Sequence, residues 1–438
     1  MSRTEDPRRD AVLVAGGRIP FQKAGTGYKD LSAYDMARMA LSGLMGSSGL
    51  NPKEIDHVIL GNVMQDPRTS NLAREAALGA GLPDTLPAHT TTMACISSNM
   101  AITQAVDQIR SGQAGVVLTG GAETLSDLPI RFRKPVRERL MRAQKAKSAG
   151  DWFKLLKGLR PSDLLPETPS ISEFSTGLTM GESCDRMAAM YGVSREDQDR
   201  YALTSHQRAG QATRNATLAC DLFPALPPDV REPITQDNTW RDDSTMEDLA
   251  KLRPAFTRPH GTVTAANASP LTDGASAALV MSAAKAVELG FTPLARLCRY
   301  HYVARQPDDE LLIGPAIAIP ELLEREGMQL SDIDLFELHE AFAGQVLSVL
   351  TALESDQFAR DRLGRSERVG SIPMDILNTR GGSLSLGHPF GATGARLVIT
   401  AANRLHEEDG TLAMVAACAA GGQGHALLLE RWDGSTRP

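Results

Sequence analysis

Two distant stretches of this 438-residue chain read as variants of one phrase. Leu50 to Val63 is "LNPKEIDHVILGNV" and Met328 to Ala341 is "MQLSDIDLFELHEA". Each gives a polar turn, Ile-Asp, an apolar strand and a polar residue near its end. The text that follows repeats as well: "SNMAITQAVDQIRSGQAGVVLTGGAE" is echoed by "GATGARLVITAANRLHEEDGTLAMVAACAAGGQG". Both read as helix, short polar turn, buried strand and glycine turn. The chain is therefore expected to hold two copies of one α/β unit. That constrains the fold strongly, because buried strands of this kind need helices on their faces. Functional residues are expected where equivalent strand ends of the two copies meet.

The first copy opens with "AVLVAGG" leading to "LSAYDMARMALSGLMGSSG", then "HVILGNV" leading to "NLAREAALGAG". Strand-like and helix-like text alternates, the α/β signature. Between the copies lies a long excursion with few strand signals. Its helix "GVSREDQDRYALTSHQRAGQA" is capped by Ser194, with Asp197 three residues on. The expected organisation is a first half over 1–124 and 260–285, an inserted, mostly helical segment over 125–259, and a second half over 286–438.

Net charge is −7, unevenly spread. Residues 131–160 carry 11 Lys/Arg against Glu138 and Asp151, so that segment is +9 and the remainder −16. Leu140, Trp152 and Phe153 stand among those charges. A basic stretch with apolar teeth suits a membrane surface or an acidic partner. No nucleic-acid motif accompanies it. The five cysteines, Cys95, Cys184, Cys220, Cys298 and Cys418, are odd in number and contain no C-x-x-C pair. A disulfide framework and a zinc site are both unexpected. The nine histidines form no H-x-x-x-H or H-E-x-x-H pattern, so no catalytic metal is expected. The start, "MSRTEDPRRDAVLVAGG", lacks a signal peptide's apolar core, and a cytoplasmic location is the expectation.

Cys95 stands in "TTMACISSNMAITQAVDQIRSG", just before a stretch where Ile102, Val106 and Ile109 recur at helical spacing. A helix N-terminus favours a thiolate, so a nucleophile is expected there. Three later stretches set polar residues among glycines. "FELHEAFAGQ" places His339 and Glu340 at a strand end. "NTRGGSLSLGHPFGATGAR" places His388 among Gly381, Gly382, Gly387, Gly391 and Gly394. "VAACAAGGQGHA" places Cys418 at the end of a buried strand. Such glycines let backbone approach a ligand and aim amides at an oxyanion. Two cysteines and two histidines at strand ends match a Cys-His acyl-transfer site, with one thiolate attacking and a second cysteine moving a proton at carbon. Cys184, Cys220 and Cys298 lack glycine neighbours and read as structural.

These motifs, with "GTVTAANASPLTDGASA" beside them, resemble the thiolase family from "GGRIPF" to "GGQGHALLLER". "LSDLPIR", "SEFSTGLTMGES" and "KLRPAF" resemble the β-subunits of fatty-acid-oxidation trifunctional complexes. The resemblance implies an α/β fold of duplicated domains layered α/β/α/β/α with an inserted loop domain. It implies a 3-ketoacyl-CoA thiolase with Cys95 as acylated nucleophile, His388 as its base and Cys418 as the proton carrier at carbon. The position of His339 is asparagine in most thiolases, where it holds a water near the thioester oxygen; His339 works through water or donates directly. The amides of Cys95 and Ala420, the latter glycine in many thiolases, would form an oxyanion hole. Ser269, Met180 and Phe342 would line the pantetheine tunnel or its surroundings, and Arg241 would lie near the CoA phosphates. CoA and acyl-CoA would be substrates, with no bound cofactor or metal. A homodimer is implied, and a hydratase/dehydrogenase α-subunit or a membrane surface would meet residues 131–160. A short-chain, biosynthetic acetoacetyl-CoA thiolase would use the same residues in reverse. A decarboxylating condensing enzyme would lack the cysteine at 418, and a silent scaffold subunit would not need the set.

Overall fold

The computed structural model describes residues 9–167, 172–228 and 230–434; the first eight residues, part of the text behind the expected location, lie outside them. The first half runs β1 (Ala11–Arg18), α1 (Ala33–Ser48), β2 (His57–Gly61), α2 (Leu72–Gly79), β3 (Ala88–Thr91), α3 (Ser97–Arg110) and β4 (Val116–Glu123). Local signals set these bounds. Ser32 caps α1 in a reciprocal box with Asp35, and Gly49 closes it in the left-handed conformation.

The chain leaves β4 at Glu123 and returns at β5 (Thr272–Ser282), its antiparallel neighbour, where Glu123 pairs with Gly274. An excursion that leaves and re-enters at adjacent strand ends disturbs no core pairing. It carries α4 (Lys134–Ala143), α5 (Ala149–Leu156), α6 (Met180–Met190) and α7 (Arg195–Arg214). Ser194 caps α7 as read from the sequence, accepting from the Asp197 amide.

The second half runs β6 (Ala295–Ala304), α8 (Gly314–Glu326), β7 (Leu335–Leu338), α9 (Ala343–Leu353), α10 (Thr393–Glu407), β8 (Leu412–Ala419) and β9 (Gln423–Arg431). The strand order is β7-β8-β9-β6-β1-β5-β4-β2-β3. Two residue pairs, Val12 with Arg296 and Leu13 with Ala295, join β1 to β6 and so make the two half-sheets continuous.

Alternation along each strand sorts side chains into layers. On β5, Ala275, Ala277, Leu279 and Met281 pack with α1 and α2, while Ala278 and Val280 face α3. On β8, Met414, Ala416 and Cys418 pack with α8 and α9, while Ala413, Val415 and Ala417 face α10. Helices α3 and α10 share one core and lie between the two half-sheets. The result is α/β/α/β/α, as expected.

The duplication reaches individual hydrogen bonds. Asp56 accepts from the amides of Gly115 and Val116 at the start of β4, at 2.7 and 3.0 Å. Asp334 accepts from Thr411 and Leu412 at the start of β8, at 2.7 and 2.9 Å. Both aspartates belong to the Ile-Asp of the repeated phrase. Strands β2 and β4 run parallel, as do β7 and β8.

Candidate active site

Cys95 lies between β3 and α3, two residues before the helix begins. The turn is tight. Ala94 adopts φ 47°, a left-handed conformation costly for a residue with a side chain. Ser97 holds it, its hydroxyl accepting from the Met93 amide and donating to the Ala94 carbonyl. The thiol hydrogen-bonds to its own amide and to that of Ala420. Burial nevertheless pushes the thiol up to about 11, outweighing those two amides. The expectation of a resting thiolate is therefore corrected: at neutral pH Cys95 is a thiol that needs a base.

The base is close. His388 and His339 lie with ring centroids 4.1 Å apart, their planes tilted by 47°. The Cys95 sulfur and one nitrogen from each ring lie within 4.8 Å of one another. Each ring is anchored at Nδ1, His339 by Ser383 Oγ at 2.9 Å and His388 by Thr393 Oγ at 2.6 Å. Both Nε2 atoms are buried and without a hydrogen-bond partner among the described residues. Burial holds both imidazoles in the neutral form, His388 down to about 3 and His339 well below its ordinary value.

Gly387 precedes His388 with φ 99°, where a Cβ would meet the Thr272 methyl at 2.5 Å. The Thr272 hydroxyl accepts from the His388 amide at 2.6 Å. Glycine is thus required for that turn. Cys418, on β8, is buried, and its thiol is raised by burial and then by the Cys95 sulfur nearby. Two thiols and two imidazoles meet at strand ends of both halves.

Two carboxylates hold the loops that carry these groups. Glu123, at the end of β4, accepts from the amides of Val63, Met64 and Gly391 and from Asn62. Burial, opposed by those bonds, pulls it up to about 7. Glu340 accepts from Tyr201, Ser205, Asn378 and the Leu384 amide. Sequence reasoning assigned no role to Glu123, although an acid closing the strand text "VVLTGGAE" is a signal. It named Glu340 only as His339's neighbour.

A cleft of about 230 Å³ opens beside the site, lined by Lys23, His206, Arg241, Ala268, Pro270 and Leu384 among others. Leu384, the residue after the His339 anchor Ser383, is part of that lining, while Cys95, His339, His388 and Cys418 are not. Arg241 is exposed at its wall. Ser269 lies between the lining residues Ala268 and Pro270, its amide donating to the Ala341 carbonyl at 3.0 Å. Phe342 is buried, bridging Ala268 and lying edge-on to Phe256 at 6.0 Å. Met180 starts α6 and packs against the core that contains Phe342 and Cys418, away from this cleft's lining. Cys184 and Cys298 are buried as structural cysteines should be, whereas Cys220 is exposed on a short turn near Glu407, contrary to that reading. The Cys-His-His cluster offers donors that a soft metal could use, a grouping invisible to local spacing because it spans three distant motifs.

Comparison with known proteins gives concordant matches. The family descriptions "Thiolase, N-terminal domain" and "Thiolase, C-terminal domain" match residues 11–284 and 291–431. The chain is 51% identical to the mitochondrial trifunctional enzyme subunit beta of Bos taurus, over 97% of this chain and 89% of that one. It is 49% identical to a probable 3-ketoacyl-CoA thiolase of Caenorhabditis elegans, over 96% and 94%. The structure of human mitochondrial 3-ketoacyl-CoA thiolase in complex with CoA superposes with a TM-score of 0.82 at 31% identity, covering 97% and 98%.

Proposed function

Because the chain belongs to the thiolase family, an acyltransferase family that takes CoA as substrate, we propose that it cleaves 3-ketoacyl-CoA with CoA in fatty-acid β-oxidation. The observation that carries this reading is the meeting of Cys95, two neutral histidines with free Nε2 atoms, and Cys418. In the proposed cycle His388 takes the Cys95 proton as the sulfur attacks the 3-keto carbon. The resulting alkoxide sits on the amides of Cys95 and Ala420. Cleavage of C2–C3 leaves an acyl group on Cys95 and an acetyl-CoA enolate, which Cys418 protonates at C2. The enolate oxygen faces His388, now protonated at Nε2, and His339.

The proton on His388 then passes to Cys418, resetting both. CoA enters, gives its thiol proton to His388 and takes the acyl group, and Cys95 recovers the proton as it leaves. Arg241 and Lys23, cations on the cleft wall, suit the CoA phosphates, and Ser269 and Phe342 its pantetheine arm. CoA-dependent thiolysis of 3-ketoacyl-CoAs from four to sixteen carbons tests the reading, with Cys95→Ala as the blank. Activity across chain lengths that vanishes in the variant supports it. Activity confined to acetoacetyl-CoA moves the protein to the short-chain alternative.

The same reading takes the protein as a homodimer that docks an α-subunit through the basic excursion. There Ile130, Trp152 and Phe153 are exposed on either side of the cationic helix α4. Reversing several of those charges is expected to abolish co-elution with a hydratase/dehydrogenase subunit. Loss of vesicle binding instead would assign the segment to a membrane.

A further inference from the structure

The two site histidines are held at Nδ1 by hydroxyls that differ in what else they touch. Thr393 Oγ contacts His388 Nδ1 and donates to the Pro389 carbonyl at 2.9 Å. A carbonyl can only accept, so the threonine's single proton is engaged there. His388 then carries its own proton on Nδ1, and its Nε2 is a free lone pair facing the thiol.

Ser383 has the opposite surroundings. Its Oγ accepts from Arg396 Nη2 at 3.0 Å and otherwise contacts only His339 Nδ1 among the described residues. A guanidinium has donors and no acceptor, so the serine proton points at His339. His339 Nδ1 therefore accepts, and that ring bears its proton on Nε2. Arg396 is fixed in turn by Glu337 at 3.4 Å, and Glu337 by Arg404 at 2.8 Å, all fully buried.

We infer that Glu337, Arg396 and Ser383 form a positioning relay that sets His339 as the Nε2–H tautomer, a direct donor to the substrate's thioester oxygen. This rests on the thiolase reading and deepens it. Two neighbouring imidazoles are locked in opposite tautomers, one a base and the other a hydrogen-bond donor. A donor already in place removes the need for a water at this point.

Nitrogen NMR of the ¹⁵N-histidine-labelled full-length protein at neutral pH reads both tautomers directly. His339→Asn and His388→Asn spectra assign the signals. The expected result is a protonated Nε2 on His339 and a protonated Nδ1 on His388. A protonated Nδ1 on His339 overturns the relay, and the unsubstituted protein alone decides this. In Ser383→Ala the His339 signals are expected to shift toward a mixture of tautomers. Its kcat is expected to fall roughly 10- to 100-fold with the KM for CoA little changed. Unchanged His339 signals in that variant also overturn the relay. Expected tautomers in a protein with no thiolysis would uphold the relay and reject the thiolase reading instead.

Discussion

The two halves share a framework to the level of single hydrogen bonds, yet they differ in what they bury. At the register where β2 carries Ile59, in the core between the half-sheets, β7 carries Glu337, ion-paired to Arg396 and Arg404. Where β2 ends in Gly61, the second half has His339, and where β4 ends in Glu123, β8 ends near Cys418. The first half supplies Cys95 and a carboxylate that ties loops down. The second supplies both imidazoles and the second thiol. Duplication thus provides the scaffold, and the chemistry comes from departures from symmetry.

The largest expected break of that comparison is in stability. Removing the shared carboxylate leaves the buried Arg396 guanidinium with no acidic partner among the described residues, so Glu337→Leu is expected to cost about 3–5 kcal/mol. Ile59→Val at the equivalent apolar position is expected to cost about 0.5–1.5 kcal/mol. Urea unfolding of both variants measures the difference, and equal losses would show that the asymmetry carries no energetic weight.

Next is the pH behaviour of the nucleophile. With the Cys95 thiol raised to about 11 and His388 lowered to about 3, both groups are neutral between those values. Thiolate fraction then rises with pH, so iodoacetamide labelling of the Cys95 peptide is expected to speed up about tenfold per pH unit from 6 to 9. A flat rate over that range would mean a thiolate–imidazolium pair.

The smallest effect tests the symmetry itself. Asp56→Asn and Asp334→Asn each weaken one strand-start clamp and are expected to destabilise by about 1 kcal/mol apiece. Losses that differ by far more than that would show the two clamps to be unequal in the two halves.

Much of this was legible in the text. The repeated Ile-Asp phrase and the alternation of strand and helix reveal the duplication, and Ser194 marks the start of α7. The glycines around His388 mark a turn that only they can make. What stayed hidden depends on three-dimensional proximity. Cys95 sits at a helix start, where isolated reasoning favours a thiolate, but desolvation outweighs the amides. Ser383 looks like one serine among glycines; its role depends on an arginine thirteen residues on and a glutamate from another strand. Glu123 holds Gly391, which lies 268 residues away in sequence.

The central claim is that Cys95 carries the acyl group between two half-reactions. It is tested most directly by mixing the protein with a 3-ketoacyl-CoA in the absence of free CoA and measuring the intact and peptide mass. The expected result is an acyl adduct shorter by two carbons on Cys95, with acetyl-CoA released in equal amount and the adduct discharged by added CoA. Acetyl-CoA released with no adduct on Cys95, or an adduct on another cysteine, would contradict it.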